Sequence, residues 1–348
     1  MRYHRALIAA LASLALVGSA LAQSDIGTTG AQFLNISPSA RAVALGGAYG
    51  SLAKGADAVY SNPAALTGVK GPDLHLSHIS YVAGVDVNYV AYAMPGMKGV
   101  IGVYFGAMST GDMPVTTIQD PTNASGTTFD AGSWVAGLTY AAPLTDRLSL
   151  GVTAKILRES IWDMTSSSYA FDVGTLYYTG FSNWRFAAVL TNFGPSARFA
   201  SGQLVTDYDK FDSDGAQSPT VAEDRAESYD LPLTFKISTA YDLALTEEMT
   251  LTTIIEGAHP SDANEYIAGG LEYSYALPIV SIAVRGGYRL VESDDYGTYT
   301  DERSAADGAT LGLGVGVPFL ARKLVFDYTW QDYSDLGTNH LFSIGMSF

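Results

Sequence analysis

The sequence predicts an all-β fold, a transmembrane antiparallel β-barrel of about 14 strands with a short, partly helical N-terminal hatch. Three observations carry the prediction. A secretory leader opens the chain, a period-two pattern repeats from Asp73 to Phe348, and the segment between them breaks that period.

The leader is expected over 1–22. Arg2 and Arg5 precede an apolar run from Ala6 to Val17, and Ala20-Leu21-Ala22 supplies a small-residue cleavage pattern. That run is shorter than the roughly 20 residues a spanning helix needs, so the segment reads as a signal peptide that is removed. Beyond Ala22, Gly, Ser, Thr, Asp or Lys interrupts every apolar stretch, and such a chain stays in a membrane only as strands. The formal charge is −16, and loss of Arg2 and Arg5 with no acid makes it −18. This balance argues against nucleic acid as a partner and against a basic membrane-surface patch. With no cysteine, the exported chain relies on sheet closure and packing rather than disulfides. Its 36 glycines, 22 tyrosines and 14 phenylalanines, beside only 16% charged residues, suit aromatic girdles outside a barrel and small residues inside it.

The barrel is expected over 72–348. At its end, Phe342, Ile344, Met346 and Phe348 share one face, while Leu341, Ser343, Gly345 and Ser347 share the other. Near Arg322 to Tyr333, Leu324, Phe326, Tyr328 and Trp330 oppose Lys323, Asp327, Thr329 and Gln331. Leu311, Leu313, Val315 and Val317 alternate with glycines. Further back, Val280, Ile282, Val284 and Tyr288 oppose Ser281, Arg285, Gly287 and Arg289, and Leu148, Leu150, Val152 and Ile156 oppose Ser149, Thr153 and Lys155. Tight links are expected at Pro95 to Lys98, Pro143 to Arg147, Gly180 to Asn183, Thr246 to Glu248, Ala276 to Pro278 and Phe319 to Arg322. Long polar links fall near Thr110 to Asp130, Pro195 to Tyr229 and Ser293 to Asp307, with shorter ones near Trp162 to Ser167, Pro260 to Asn264 and Ser334 to Thr338. Short turns belong to the periplasmic side, so the long acidic links face out of the cell. A soluble sandwich alternates too. The leader, the aromatic residues Trp134, Tyr140, Trp184 and Trp330 near strand ends, and the aromatic last strand favour the bacterial outer membrane.

Between Gln23 and Gly71 the alternation stops. Asp57 to Leu66 reads as helical in part, with Pro63 disfavouring a helical Asn62 and allowing a new turn to start. This segment, 23–71, is too short and Gly-rich for a domain of its own and is expected to pack inside or beneath the barrel.

Gly30, Phe33-Leu34, Ser39-Ala40-Arg41-Ala42, Leu45-Gly46-Gly47-Ala48-Tyr49, Asp57-Ala58 and Asn62-Pro63-Ala64-Ala65-Leu66 together resemble the N-terminus of PorV/PorQ family proteins, which group with the FadL-like outer-membrane transporters. The Asn-Pro-Ala element resembles that of FadL itself. The resemblance implies a 14-stranded barrel with a hatch motif at Asn62, Pro63 and Ala64, and two alternative jobs. PorV-like members serve type IX secretion and bind a protein partner, either the translocon or the C-terminal domain of cargo. FadL-like members bind a hydrophobic small molecule in the barrel and release it sideways into lipid. The first job is the leading expectation and the second the alternative. A continuous apolar pocket in the lumen would favour the second; a lumen filled by paired charges would count against it.

Lys155, Asp172, Arg185, Lys236, Glu256, Glu272, Arg285, Arg289, Lys323 and Asp327 fall on expected lumen faces. An Arg or Lys on a lipid face costs about 2 to 4 kcal/mol at the midplane, so charges collect inside. Their mixed signs suit a paired network bracing the barrel and gripping the hatch.

Catalysis is not expected. His75 and His78, three apart on a strand, face opposite sides, and His259 and His340 sit near strand ends as rim histidines. Ser51-Leu52-Ala53-Lys54 matches an acyl-enzyme pattern without its Lys-Thr-Gly companion. Gly312, Gly314 and Gly316 lie within a strand rather than before a helix, which removes the dinucleotide reading. Asp207, Asp209, Asp212 and Asp214 before Gly215 suggest a calcium loop, but Lys210 takes the first ligand position and Val221 the place of the bidentate Glu. A solvated acidic loop is the better reading, a loose divalent site the alternative. No cofactor and no defined metal site are expected.

Overall fold

A computed structural model describes residues 27–200, 205–211, 217–223, 226–291, 308–319, 322–333 and 337–348, with backbone alone for 205–211 and 217–223. The leader, the link from Ser293 to Asp307 and the side chains of the acidic run Asp207 to Asp214 lie outside the described residues.

Strand formation follows the two-residue period. The strands are β1 Asp73–Ser80, β2 Asp86–Gly96, β3 Gly99–Pro114, β4 Thr128–Pro143, β5 Leu148–Ile161, β6 Met164–Tyr178, β7 Trp184–Phe193 and β8 Val205–Phe211. They continue with β9 Gln217–Glu223, β10 Thr234–Ala244, β11 Met249–Pro260, β12 Tyr266–Ala276, β13 Ser281–Val291, β14 Gly308–Phe319, β15 Arg322–Asp332 and β16 Thr338–Ser347. Fourteen of them close into one antiparallel barrel, in which β1 pairs with both β2 and β16, and β10 follows β7. Closure leaves every backbone group of the wall a partner, as hydrocarbon requires. In β14, Leu311, Leu313 and Val315 are exposed outward while Thr310 is buried inside; in β16, Phe342 and Ile344 face out and Leu341 and Ser343 face in. No described helix is long and apolar enough to cross a membrane.

At the end carrying Gly71 and Phe348 the links are tight. The β2–β3 turn has Met97 and Lys98 at φ 51° and 64°, the left-handed pair of a two-residue hairpin matched to strand twist. Two expected outer links are shorter than the sequence indicated. β3 and β4 run on to Pro114 and from Thr128, so that link is only 115–127. Between β5 and β6 just Trp162 and Asp163 remain, with Trp162 at φ 55°. The cause is the same in both: Ser, Thr and Asp keep pairing as strands beyond the bilayer, where water accepts their side chains. Strands β8 and β9 form a two-stranded hairpin apart from the barrel, within the long link after β7.

The N-terminal segment fills the lumen. Its described start is near the outer links, where the Gly27 and Gly30 amides donate to the carbonyls of Asp262 and Asp230. Gly30 lies so close to the Tyr229 ring that a β-carbon would sit 2.3 Å from it. Short helices Ala40–Val43 and Ala58–Ser61 and 3-10 turns Gln32–Asn35 and Pro63–Gly68 follow, leading to β1 at the periplasmic end. Leu45, Val59 and Leu66 are fully buried.

Contact between hatch and wall depends on lumen-facing glycines. A β-carbon at Gly287 would lie 2.1 Å from the Gly46 nitrogen, one at Gly151 2.3 Å from the Ala64 nitrogen, and one at Gly174 2.1 Å from Asn62 Oδ1. Each is far inside van der Waals contact, so the hatch backbone meets Gly151 and Gly287, and the Asn62 side chain meets Gly174, only because a side chain is missing there.

Candidate functional site

Asn62, Pro63 and Ala64 dock the hatch on β5 and β6. Asn62 is extended, at φ −157°, as the following proline demands, and its Oδ1 accepts the Ala64 amide at 3.0 Å to cap the turn Pro63–Gly68. Its Nδ2 donates to the carbonyls of Gly50 at 2.8 Å and Thr175 at 3.1 Å. One buried amide thus ties together two parts of the hatch and the barrel wall.

The lumen charges form three groups. Lys155 pairs with Asp172 at 2.8 Å, and Asn192 joins them, its backbone amide donating to Asp172 at 2.7 Å. Arg185 reaches Asp242 at 2.7 Å. The largest group centres on Glu272, which takes a two-pronged bond from Arg41 through Nε and an outer nitrogen, both at 2.7 Å, and another from Arg285 Nε at 2.5 Å. Arg285 also donates to Asp327 at 2.6 Å. Glu256 stands apart from the arginines: Oε2 accepts the backbone amides of Tyr49 at 3.2 Å and Gly50 at 2.8 Å. Arg289 lies over the Tyr266 ring at 4.6 Å. Lys236 faces the same space, and Lys323 faces the periplasmic side without an ion pair among the described residues.

Arg41, Tyr49, Asn192 and Asp242 were not singled out by sequence as members of these groups. For Arg41 a signal exists: the one arginine of an alanine-rich hatch that enters a lumen must find a carboxylate there. Asp242 sits near the end of β10, where alternation no longer indicates which side a residue serves.

The hatch leaves space on both sides. An outer chamber of about 200 Å³ is bordered by Tyr49, Lys155, Lys236, Glu256, Asp262 and Arg289. A periplasmic vestibule of about 570 Å³ is bordered by Arg41, Lys54, Asp57, Glu272, Arg285 and Lys323. These linings mix charged side chains with apolar ones, such as Leu34, Tyr60 and Val291 in the outer chamber and Val69, Ile282 and Val325 in the vestibule, which departs from the continuous apolar pocket expected of a hydrophobic channel. The apolar surface lies in the wall instead, as a lipid-facing groove of about 540 Å³ over Phe235, Ile237, Gly257, Ile267 and Leu290. Tyr266 and Val291 border both this groove and the outer chamber.

No catalytic grouping emerges among the described residues. His78 faces Asp86 and Asn88, His259 faces Glu265 and His340 faces Tyr328, all without a nucleophile. Ser51 is buried with its hydroxyl unpartnered, and no hydrogen bond joins it to Lys54. No cluster of three metal-ligating side chains occurs among the described residues.

A family model described as "Outer membrane protein transport protein (OMPP1/FadL/TodX)" matches residues 19–177. The toluene transporter TodX of Pseudomonas putida is similar in structure, with a TM-score of 0.55 and 12% identity over 88% of this chain and 96% of that one. The two share a fold. The chain thus has the fold of the FadL-like outer-membrane barrels. Also similar to it are the Ralstonia pickettii toluene transporter TbuX, at TM-score 0.52 and 11% identity over 92% and 98% of the chains, and a Pseudomonas aeruginosa FadL homologue, at 0.52 and 11% over 88% and 96%. No curated protein matches the sequence.

Proposed function

We propose that this FadL-like barrel admits small hydrophobic or amphipathic compounds at the cell surface and releases them sideways into the outer membrane. The observation that carries this reading is the border shared by the outer chamber and the lipid-facing groove at Tyr266 and Val291. Between a compound held at the chamber and an apolar surface open to lipid stand the Tyr266 side chain, braced by Arg289, and the paired backbone of β11 to β13 near its outer end. Transfer of its apolar part gains about 0.8 kcal/mol per CH₂, so the movement runs downhill unaided. The matched family description and the toluene transporters among the similar structures support the class of compound. The leading expectation from the hatch sequence, a PorV/PorQ-like partner in type IX secretion, has no comparable support.

The test is uptake of a radiolabelled monoaromatic compound and of a long-chain acid by cells that carry this barrel as their sole transporter of the kind. Gly257 provides the variant, because a β-carbon there meets nothing within 4 Å. Gly257→Trp fills the groove from outside without touching the hatch, and is expected to cut uptake while the barrel still folds. Uptake no greater than in cells lacking the barrel, for both probes, refutes the reading. Loss of surface-attached proteins on gene deletion, with uptake intact, would favour the secretion role instead.

A further inference from the structure

Among the described residues only Tyr49 borders both the outer chamber and the periplasmic vestibule. The two spaces meet there. The backbone of Tyr49 is fixed, since its amide and that of Gly50 both donate to Glu256. Its hydroxyl donates to Asp57 at 3.1 Å and accepts from Arg41 at 3.5 Å, while Arg41 is itself clamped on Glu272. Tyr49, 2% exposed, is thus a buried side chain common to both borders.

The charges along this line are unequal in availability. Most of the acids are engaged by the protein: Glu256 by two backbone amides, Glu272 by two arginines, and one oxygen of Asp57 by Ser39 and Tyr49; the second oxygen of Asp57 and one oxygen of Asp262 have no hydrogen-bond partner among the described residues. Lys54, Lys236 and Lys323 form no ion pair among the described residues. The vestibule lining carries five cations, Arg41, Lys54, Lys70, Arg285 and Lys323, against four acids, Asp57, Asp73, Glu272 and Asp327, and the outer chamber carries Lys155, Lys236 and Arg289 against Glu256 and Asp262. Both spaces therefore lean towards anions.

We propose that the barrel holds a second, aqueous route for small hydrophilic anions such as carboxylates and phosphate, closed at Tyr49. It is separate from the sideways route for apolar compounds, sharing only the outer chamber. Loss of the phenol ring vacates far more than the roughly 30 Å³ share of one water, which joins the two chambers.

The experiment places the purified full-length protein in planar lipid bilayers under a potassium chloride gradient. The wild type and Tyr49→Phe, which keeps the ring, are expected to give a flat baseline. Tyr49→Ala is expected to give discrete opening steps, with a reversal potential of the sign for chloride selectivity and block by added phosphate. Should Tyr49→Ala lose the heat-resistant compact form on gels that marks a folded barrel, Tyr49→Leu carries the same test with a smaller void. A folded variant as tight as the wild type, or one that conducts cations in preference, overturns the proposal.

Discussion

Replacing Asn62 by alanine removes three buried hydrogen bonds at once: two donated by Nδ2 to the Gly50 and Thr175 carbonyls and one accepted by Oδ1 from the Ala64 amide. A net bond of this kind is worth about 1 kcal/mol, and the partners left behind are buried and lose their own desolvation. The loss comes to about 3 to 5 kcal/mol, and it falls on the hatch, because no barrel strand pairing passes through Asn62. At 1.4 kcal/mol per tenfold, hatch opening becomes more frequent by about two to three and a half orders of magnitude. Amide hydrogen exchange of the folded protein reads this directly. The Ala65 and Val69 amides keep their own acceptors in the variant and report only the opening of the turn. They are expected to exchange faster by that factor, while amides of β14 to β16 keep wild-type protection. Unchanged exchange at Ala65 and Val69 would refute the docking argument, and an equal rise in β14 to β16 would show that hatch and wall open as one unit.

Glu272→Gln leaves Arg41 and Arg285 facing each other with one carboxylate fewer; breaking a buried pair costs about 3 to 5 kcal/mol, expected as a lower temperature for conversion of the compact gel band to the unfolded one. Gly287→Ala puts a methyl 2.1 Å from the Gly46 nitrogen, and is expected to raise protease access to the hatch without opening the wall. In the outer link, the exposed Asp120 carboxylate lies below its usual range because the Ser125 and Ala124 amides donate to it. A depressed value means the turn is supported above the ordinary Asp value of about 3.9 and loses that support as pH falls through the lowered one. Exchange at Ala124 and Ser125 should quicken, relative to unstructured amides, only in that acid window, and Asp120→Asn should abolish the change.

The wall was legible because lipid imposes a period. Along β14, leucines and valines had to face out, which left glycines for the lumen, and alternation put Glu272 and Arg285 on lumen faces, where the strand register sets them directly opposite each other. The limits of β3 and β4 were illegible because polar residues carry no hydrophobic period once a strand leaves the bilayer. Broken alternation pointed to the hatch, and the turn after Asn62 followed from proline. Its path did not: nothing in residues 27–37 says that they reach the outer links, since the contacts there come from the Gly27 and Gly30 backbone amides and from the small polar side chains of Thr29 and Gln32, which form no pattern in the sequence. The roles of Arg41 and Tyr49 depended on that path and stayed hidden with it.

The glycine contacts also constrain the order of assembly. A hatch whose backbone lies against Gly151 and Gly287, and whose Asn62 side chain lies against Gly174, occupies the space that a threading chain would need. Drawing the segment through a finished cylinder would mean passing each bulky residue by walls that admit only backbone. Laying it sideways onto an open, curved sheet meets no such obstacle. The seam between β1 and β16, the first and last strands made, is then the natural final closure, and a hatch that fails to settle beforehand becomes an assembly defect that later refolding cannot mend.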